Sequence, residues 1–432
     1  MSTLAVLKAD SRSGRRAVDR LLRRGEAVLD GKTLRRAEKI VQDVRRRGDR
    51  ALLDYVRRLD GLAASAVADL ALAPLQGDGK GADLPAGFVE ALERAIVAVE
   101  RFHAPQVRAG YRIEEDGVDL EERIVPLRRV GVYVPGGRAS YPSTVVMTVV
   151  PARLAGVEEV VVATPPGSYR SSPALRYAID RLGISEVWGM GGAHAVAALA
   201  YGTETIRRVD KIVGPGNAWV TAAKKLVIGD VAIDGLAGPS EVVIVADASA
   251  DAGDVAADLL AQAEHDPQAA AVLITPDAKL AKRVAVEADR QLAGLATAET
   301  ARAALEHFGV ALVVGDLVEA LELTERIAPE HLQLVGPEAE SLAPRIRSAG
   351  AIFIGAATPE VFGDYIAGPS HVLPTCGSAR FASSLGVEDF LRRSHSLRFT
   401  PGAASRRAAA AATLADAEGL PAHAAAARRR LG

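Results

Sequence analysis

A parallel α/β fold, with a small helical segment at each end, is what this chain of 432 residues predicts, on three observations. From Arg128 onward short apolar runs end in glycine- and proline-rich loops, and helical stretches separate them. That alternation is the signature of a parallel sheet covered by helices. The length also exceeds the roughly 250–300 residues at which one core stops growing, so more than one unit is expected.

Before Arg128 the texture is helical. Leu34, Ala37, Ile40, Val41, Val44, Leu52, Val56 and Leu59 recur near i, i+3, i+4 spacing over Thr33–Leu59, with Arg and Glu between them. A second helix is expected from about Ala86 to Phe102. Strands follow at Arg129–Val134, Glu159–Ala163, Glu186–Trp188 and Lys211–Val213, with helices at Ala193–Tyr201 and Ala218–Val227. After Asp234 the alternation resumes. Glu241–Ala246, Ala271–Thr275, Val310–Val314 and Ala351–Ile354 read as strands, and Asp251–His265 and Asp277–Leu292 as helices. The pattern divides into a unit of residues 130–238, a larger unit of 1–129 with 239–380, and a tail of 381–432. The last fifty or so residues read as Ala/Arg-rich helices interrupted at Gly419-Leu420-Pro421.

Composition narrows the function classes. Lys plus Arg number 52 against 54 Asp plus Glu, so bulk charge points neither to nucleic acid nor to an anionic membrane. Cys376 is the single cysteine, which excludes an internal disulfide and a thiolate metal site. Residues 1–14 carry Lys8, Asp10 and Arg12 and lack the apolar stretch of a secretory signal. The densest apolar run, Thr144–Val150, stops at Pro151 and Arg153, short of the ~20 residues that span a bilayer. A cytoplasmic protein is expected.

Several places could carry chemistry. Glycine at the end of a strand lets backbone N–H groups approach a phosphate, and the next helix N-terminus adds positive potential. Gly189-Met190-Gly191-Gly192-Ala193-His194 comes nearest to a G-x-G-x-x-G loop, yet places His where the last Gly belongs, and an ordinary α/β turn has the same look. Among the eight histidines, His103, His307 and His395 lack a useful context and read as structural or solvent-exposed. His265 lies three residues after Gln262, which puts both on one helix face, a geometry open to a metal as well as to simple packing. Glu330-His331 pairs a carboxylate with an imidazole, able to move a proton, although such dipeptides are common. Asp364 with His371, and Glu418 with His423 around Gly419-Leu420-Pro421, complete the candidates.

Seven blocks in order carry a resemblance over nearly the whole chain. They are Gly131-Val-Tyr-Val-Pro-Gly-Gly137 with Tyr141-Pro-Ser-Thr144, Val209-Asp-Lys-Ile-Val-Gly-Pro-Gly-Asn217, Ala237-Gly-Pro-Ser-Glu-Val242, Asp258-Leu-Leu-Ala-Gln-Ala-Glu-His265, Ala328-Pro-Glu-His-Leu332, Gly363-Asp-Tyr-Ile-Ala-Gly-Pro-Ser-His-Val-Leu-Pro-Thr375 and Glu418-Gly-Leu-Pro-Ala-His423. The chain resembles the L-histidinol dehydrogenase family. The resemblance implies two incomplete Rossmann-like α/β domains with small helical terminal segments, the 130–238 unit receiving NAD. It implies a zinc ion, one per subunit, held by Gln262, His265, Asp364 and His423. Ser240, Gln262, His265, His331, Asp364, His371, Glu418 and His423 would contact L-histidinol, and Tyr133, His194 and Asn217 would contact NAD. Position 194 is commonly Gln in that family and position 370 commonly Asn; here they are His194 and Ser370.

The implied chemistry is two oxidations at one site. His331 takes the alcohol proton as hydride leaves for NAD, the aldehyde stays bound, and Glu330 activates the water needed for the second step. Zinc would position the substrate's amino and imidazole nitrogens without redox change. The tail 381–432 is implied to reach the other subunit of a homodimer, so that sites are shared. Two other readings stand beside this one: a zinc-dependent relative acting on a different small diol or amino alcohol, and an idle NAD- or metal-binding protein, which would predict damage at Glu330, His331 or the ligand set.

Overall fold

The computed structural model describes residues 2–73, 84–136 and 140–431; Gly137 lies outside them. Among the described residues the strands are β1 (Ala5–Lys8), β2 (Arg112–Glu115), β3 (Val118–Pro126), β4 (Arg129–Tyr133), β5 (Glu159–Thr164), β6 (Glu186–Gly189) and β7 (Lys211–Val213). They continue with β8 (Ala232–Ile233), β9 (Glu241–Ala246), β10 (Ala270–Thr275), β11 (Val310–Val313), β12 (His331–Val335), β13 (Ala351–Ile354) and β14 (Leu391–Phe399). They form a six-stranded sheet of order β1-β11-β10-β9-β12-β13, a five-stranded sheet of order β6-β5-β4-β7-β8, and a three-stranded sheet β14-β3-β2. The first two are parallel throughout and the third is antiparallel. The fold is the α/β architecture expected, with helices at both ends of the chain.

Strand composition explains the layering. In β9, Val242 and Ile244 join the core formed with helices Ala252–Ala263 and Ala278–Leu292, while Val243 and Val245 join the opposite core, with helices Arg12–Leu22 and Leu317–Ile327. A run that is apolar at every position can be buried only by helices on both faces, and each enclosed Val or Ile contributes about 1.5–3 kcal/mol. The five-stranded sheet repeats the arrangement. Ile212 and Val161 face helices Gly31–Arg47, Gly192–Tyr201 and Ala218–Val227. Val130, Val132 and Val162 face helices Phe88–His103 and Pro142–Leu154. The apolar run Thr144–Val150 is a helix buried all round, as the centre of such a layer requires. No helix among the described residues is long and apolar enough to cross a membrane.

Several stretches differ from the periodicity. Ala5–Lys8, Arg112–Glu115 and Val118–Pro126 are strands in the part before Arg128, and the helix expected over Asp251–His265 ends at Ala263, so His265 lies just past it. The pattern over Thr33–Leu59 is not one helix: it breaks at Gly48, whose φ is +51°, into Gly31–Arg47 and Asp49–Tyr55 followed by a wider turn at Val56–Asp60. The tail is not helical throughout, because Leu391–Phe399 is β14, paired with β3 over its full length. Its sequence, Leu-Arg-Arg-Ser-His-Ser-Leu-Arg-Phe, is mostly exposed on both faces and carries no inside–outside alternation to betray a strand. Helices Pro401–Ala417 and Pro421–Arg428 then pack on each other, and the first of them on β14.

Candidate active site

The two parallel sheets face each other across a cleft of about 660 Å³. One wall is the N-terminal edge of β9 and β12, with the end of helix Ala252–Ala263; the other is the C-terminal edge of β4 and β7. The second wall is the usual ligand edge of a parallel sheet, where Gly136 and Gly216 expose backbone. The first is the unusual one. At the C-terminal edge of the six-stranded sheet, where strand order reverses between β9 and β12, lies a separate hollow of about 720 Å³. There Asp247 already accepts the N–H groups of Ser249, Glu338 and Ala339 and the Ser249 hydroxyl, so donors that an anion would need are taken.

Glu330 and His331 enter the cleft at the start of β12. The Glu241 N–H donates to Glu330 Oε2 at 2.9 Å, and the Glu330 N–H donates back to Glu241 Oε1 at 3.3 Å. Glu241 is held in turn by Arg24, whose Nη1 lies 2.5 Å from Glu241 Oε2 while Nη2 donates to the carbonyls of Pro239, Ser240 and Gln268. Burial, followed by the neighbouring Glu241 charge, pushes the Glu330 carboxyl well above its usual range. His331 Nδ1 lies 3.1 Å from the Glu241 carbonyl oxygen, which can only accept, so the proton sits on Nδ1 and Nε2 carries the lone pair. That Nε2 lies 3.9 Å from Asp364 Oδ1. Burial brings the His331 pKa down to about 4, so the ring is neutral near pH 7.

Gln262, His265 and Asp364 lie beside this pair. Gln262 is fully buried and neither polar atom of its side chain has a partner among the described residues. His265 Nε2 is 3.8 Å from Asp364 Oδ2. His371 closes the group: its Nδ1 donates to the Asp364 carbonyl at 2.9 Å, and its Nε2 faces Thr144 Oγ1 at 3.3 Å. Burial lowers its pKa. Ser240 and Asn217 also line the cleft; Asn217 Oδ1 caps helix Ala218–Val227 by accepting from Trp219 and Val220 N–H. Orphaned amide atoms on Gln262, an imidazole and a carboxylate form an oxygen/nitrogen donor set without thiolate, which fits zinc.

The remaining candidates lie elsewhere. Tyr133 and His194 are 2% and 1% exposed and sit behind the glycine loop rather than along the cleft. The Tyr133 hydroxyl accepts the Gly192 N–H at 3.0 Å. His194 Nε2 lies 2.8 Å from Asp60 Oδ2, which also takes the Gly191 N–H. Glu418 and His423 are exposed on the tail and do not line the cleft of their own chain.

Sequence reasoning passed over Arg24, Glu241, Asp60 and Glu360. Nothing local marks Arg24 or Asp60, since their partners are 217 and 134 residues away. Glu360 did carry a signal, standing one helical turn before Asp364. It is 1% exposed, and burial, then the charges of Asp364, Glu330 and Asp258, push its carboxyl well above the usual range. Donor atoms of His265, Glu360 and Asp364 lie within 4.8 Å of one another.

Comparison with known proteins agrees with the resemblance. The family model described as histidinol dehydrogenase matches residues 23–431. A histidinol dehydrogenase of Synechococcus sp. is 50% identical over 393 residues, covering 90% of each chain. One of Geobacter metallireducens is 46% identical over 385 residues, covering 89% of this chain and 88% of that one. The crystal structure of histidinol dehydrogenase from Elizabethkingia anophelis superposes with a TM-score of 0.86 at 31% identity, covering 100% of this chain and 98% of that one.

Proposed function

The chain belongs to the histidinol dehydrogenase family, and from that premise we propose that it oxidises L-histidinol to L-histidine through bound L-histidinaldehyde, with two NAD and one zinc ion per subunit, in the cytoplasm. The observation that carries this reading is the His331 ring: its Nδ1 is committed to the Glu241 carbonyl, which leaves Nε2 free to take a proton in a cleft shared with Gln262, His265 and Asp364.

Zinc, held by Gln262, His265, Asp364 and the partner subunit's His423, would supply a fixed charge on which the substrate nitrogens are oriented. NAD, received by the 130–238 unit with Asn217 at the rim, would accept hydride. His331 Nε2, which carries the ring's lone pair, takes the alcohol proton, while Nδ1 stays anchored on the Glu241 carbonyl. His371, its Nδ1 committed to the Asp364 carbonyl, presents Nε2 as an acceptor beside Thr144 Oγ1 at the cleft wall. Glu330, anchored by the Glu241 N–H, moves the proton of the water that converts aldehyde to hydrate. Tyr133 and His194 hold the glycine loop in place through Gly192 and, by way of Asp60, Gly191, and so shape the NAD side of the cleft from behind.

In this reading the site is shared between two subunits. Its support is that Glu418 and His423 are exposed, on a tail that rests on β14 and also bears exposed Leu414 and Leu420. Incubation with L-histidinol and NAD, followed by mass spectrometry, should yield L-histidine. Turnover of another small amino alcohol in its place would shift the assignment to a relative, and no oxidation of either would overturn it.

A further inference from the structure

We propose that Lys224 and Asp234 are positioning residues for the cofactor: a buried ion pair behind the cleft that holds the turn after β7 in the shape that receives NAD. The proposal rests on the reading that the 130–238 unit receives NAD. Lys224 Nζ lies 2.5 Å from Asp234 Oδ1, and the two side chains are 3% and 5% exposed. Neither lines the cleft. Both close on Gly214, the first residue of the turn. Lys224 Nζ donates to its carbonyl at 2.6 Å, and Asp234 Oδ2 accepts its N–H at 2.7 Å. The next three residues, Pro215, Gly216 and Asn217, line the cleft. Hydrogen bonds to charged partners are roughly twice as strong as neutral ones, so the Gly214 backbone, gripped on both sides, resists rotation and fixes the residues beyond it.

The pair also reaches the chain that crosses between the sheets. Asp234 follows β8 and opens the segment that leads to β9, and its Oδ1 accepts the Gly235 N–H at 2.7 Å. Lys224 stands on helix Ala218–Val227, whose Thr221 hydroxyl donates to the Ala237 carbonyl at 2.8 Å. Ala237 and Ser240 of the crossing segment line the cleft as well. One buried carboxylate therefore joins the β7 turn to the start of the crossing. Stability alone is a weak reason for such a pair. Taking two charges out of water is costly, and apolar side chains of similar volume often give equal or greater stability. Apolar side chains cannot, however, grip a carbonyl and an N–H in fixed directions. The effect of the pair is geometric: a turn already in its binding shape spares the cost of ordering it when the cofactor arrives.

The test separates cofactor binding from turnover and from stability. Lys224→Met alone leaves the Asp234 carboxylate buried without its cation and endangers the fold. The double variant Lys224→Met/Asp234→Asn is neutral and keeps an acceptor for the Gly214 N–H, while the hold on the Gly214 carbonyl is gone. Circular dichroism and the thermal midpoint check its fold. Asp234→Asn, isosteric with the native residue, is the second variant and is read by the same constants, so a double variant that fails to fold still leaves a result. In the full-length, zinc-loaded protein each variant should bind NAD about 10-fold more weakly by calorimetry, the effect of ordering a few residues at binding. The KM for NAD should rise in step, while kcat at saturating NAD and the KM for L-histidinol stay within about 3-fold of the unaltered protein, the mark of lost binding rather than lost chemistry. Unchanged NAD affinity in a folded variant overturns the positioning role and leaves the pair a stabilising one. A rise in the KM for L-histidinol as large as that for NAD also overturns it, since the whole cleft has then loosened. Failure of the unaltered protein to bind NAD overturns the cofactor reading and this inference together.

Discussion

Glu330 and His331 are adjacent in the chain yet answer to different partners, one to the Glu241 N–H and the other to the Glu241 carbonyl. Their losses should therefore separate. His331→Asn should slow oxidation of both histidinol and histidinaldehyde by roughly 10²–10⁴-fold, the contribution of a positioned base. Glu330→Gln should depress aldehyde oxidation more than alcohol oxidation, since only the aldehyde step needs activated water; equal losses on the two substrates, assayed separately, would refute the division. Arg24 tests the support beneath them. Arg24→Met leaves Glu241 buried without its cation, which should cost about 3–5 kcal/mol of stability in a denaturant titration and slow both steps. The pairing of Glu330 with His331 was legible because it is local in sequence. The Arg24–Glu241–Glu330 chain was not, because its first link spans 217 residues.

At the scale of elements, the turn after β7 shapes the wall of the cleft formed by the five-stranded sheet. Gly214 has φ +107°, and a Cβ there would lie 2.2 Å from the Tyr133 carbonyl oxygen on β4. Its N–H donates to Asp234 and its carbonyl accepts from Lys224, so it has little room to move. Gly214→Ala should cost about 2–4 kcal/mol from strain and overlap, with weaker NAD binding measured by calorimetry. Helix Phe88–His103 offers a pH prediction away from any metal. His103 is buried with Nδ1 2.9 Å from the Val99 carbonyl, and burial lowers its pKa below 6.5. Above that value both folded and unfolded chains hold it neutral. As pH falls through 6.5 the unfolded chain takes up its proton first, so stability drops. His103→Gln should flatten the fall of thermal midpoint below pH 6.5; an unchanged slope would count against it.

At the scale of the molecule the prediction concerns sharing. His331→Asn and His423→Ala should each be nearly inactive. Refolded together, random pairing makes half the dimers mixed, and a crossed tail gives each mixed dimer one intact site of two, so about a quarter of the unaltered activity should return. With heterodimers present and no recovery, the tail serves its own chain. The architecture suits such an exchange: helix Pro401–Ala417 rests on β14, Pro421–Arg428 packs on that helix, and His423 lies outside the cleft of its own chain.

The alternation of fully apolar runs with helices determined the α/β class, and most strand bounds fall within a residue of the pattern, because a strand buried on both faces must be apolar at every position. Motif blocks determined the family for the same local reason: residues that line one cleft often lie close in the chain, as Gln262 with His265 and Glu330 with His331 do. Tertiary structure alone decided which sheet the helix Gly31–Arg47 covers, since an amphipathic face names no partner. It alone revealed β14, whose polar faces carry no period. It also brought the N-terminal edge of one sheet against the C-terminal edge of the other, and there Arg24, Glu241, Glu360 and Asp364 meet. Their convergence comes from the packing of two sheets, each with a core on either face, which spacing along the chain does not encode.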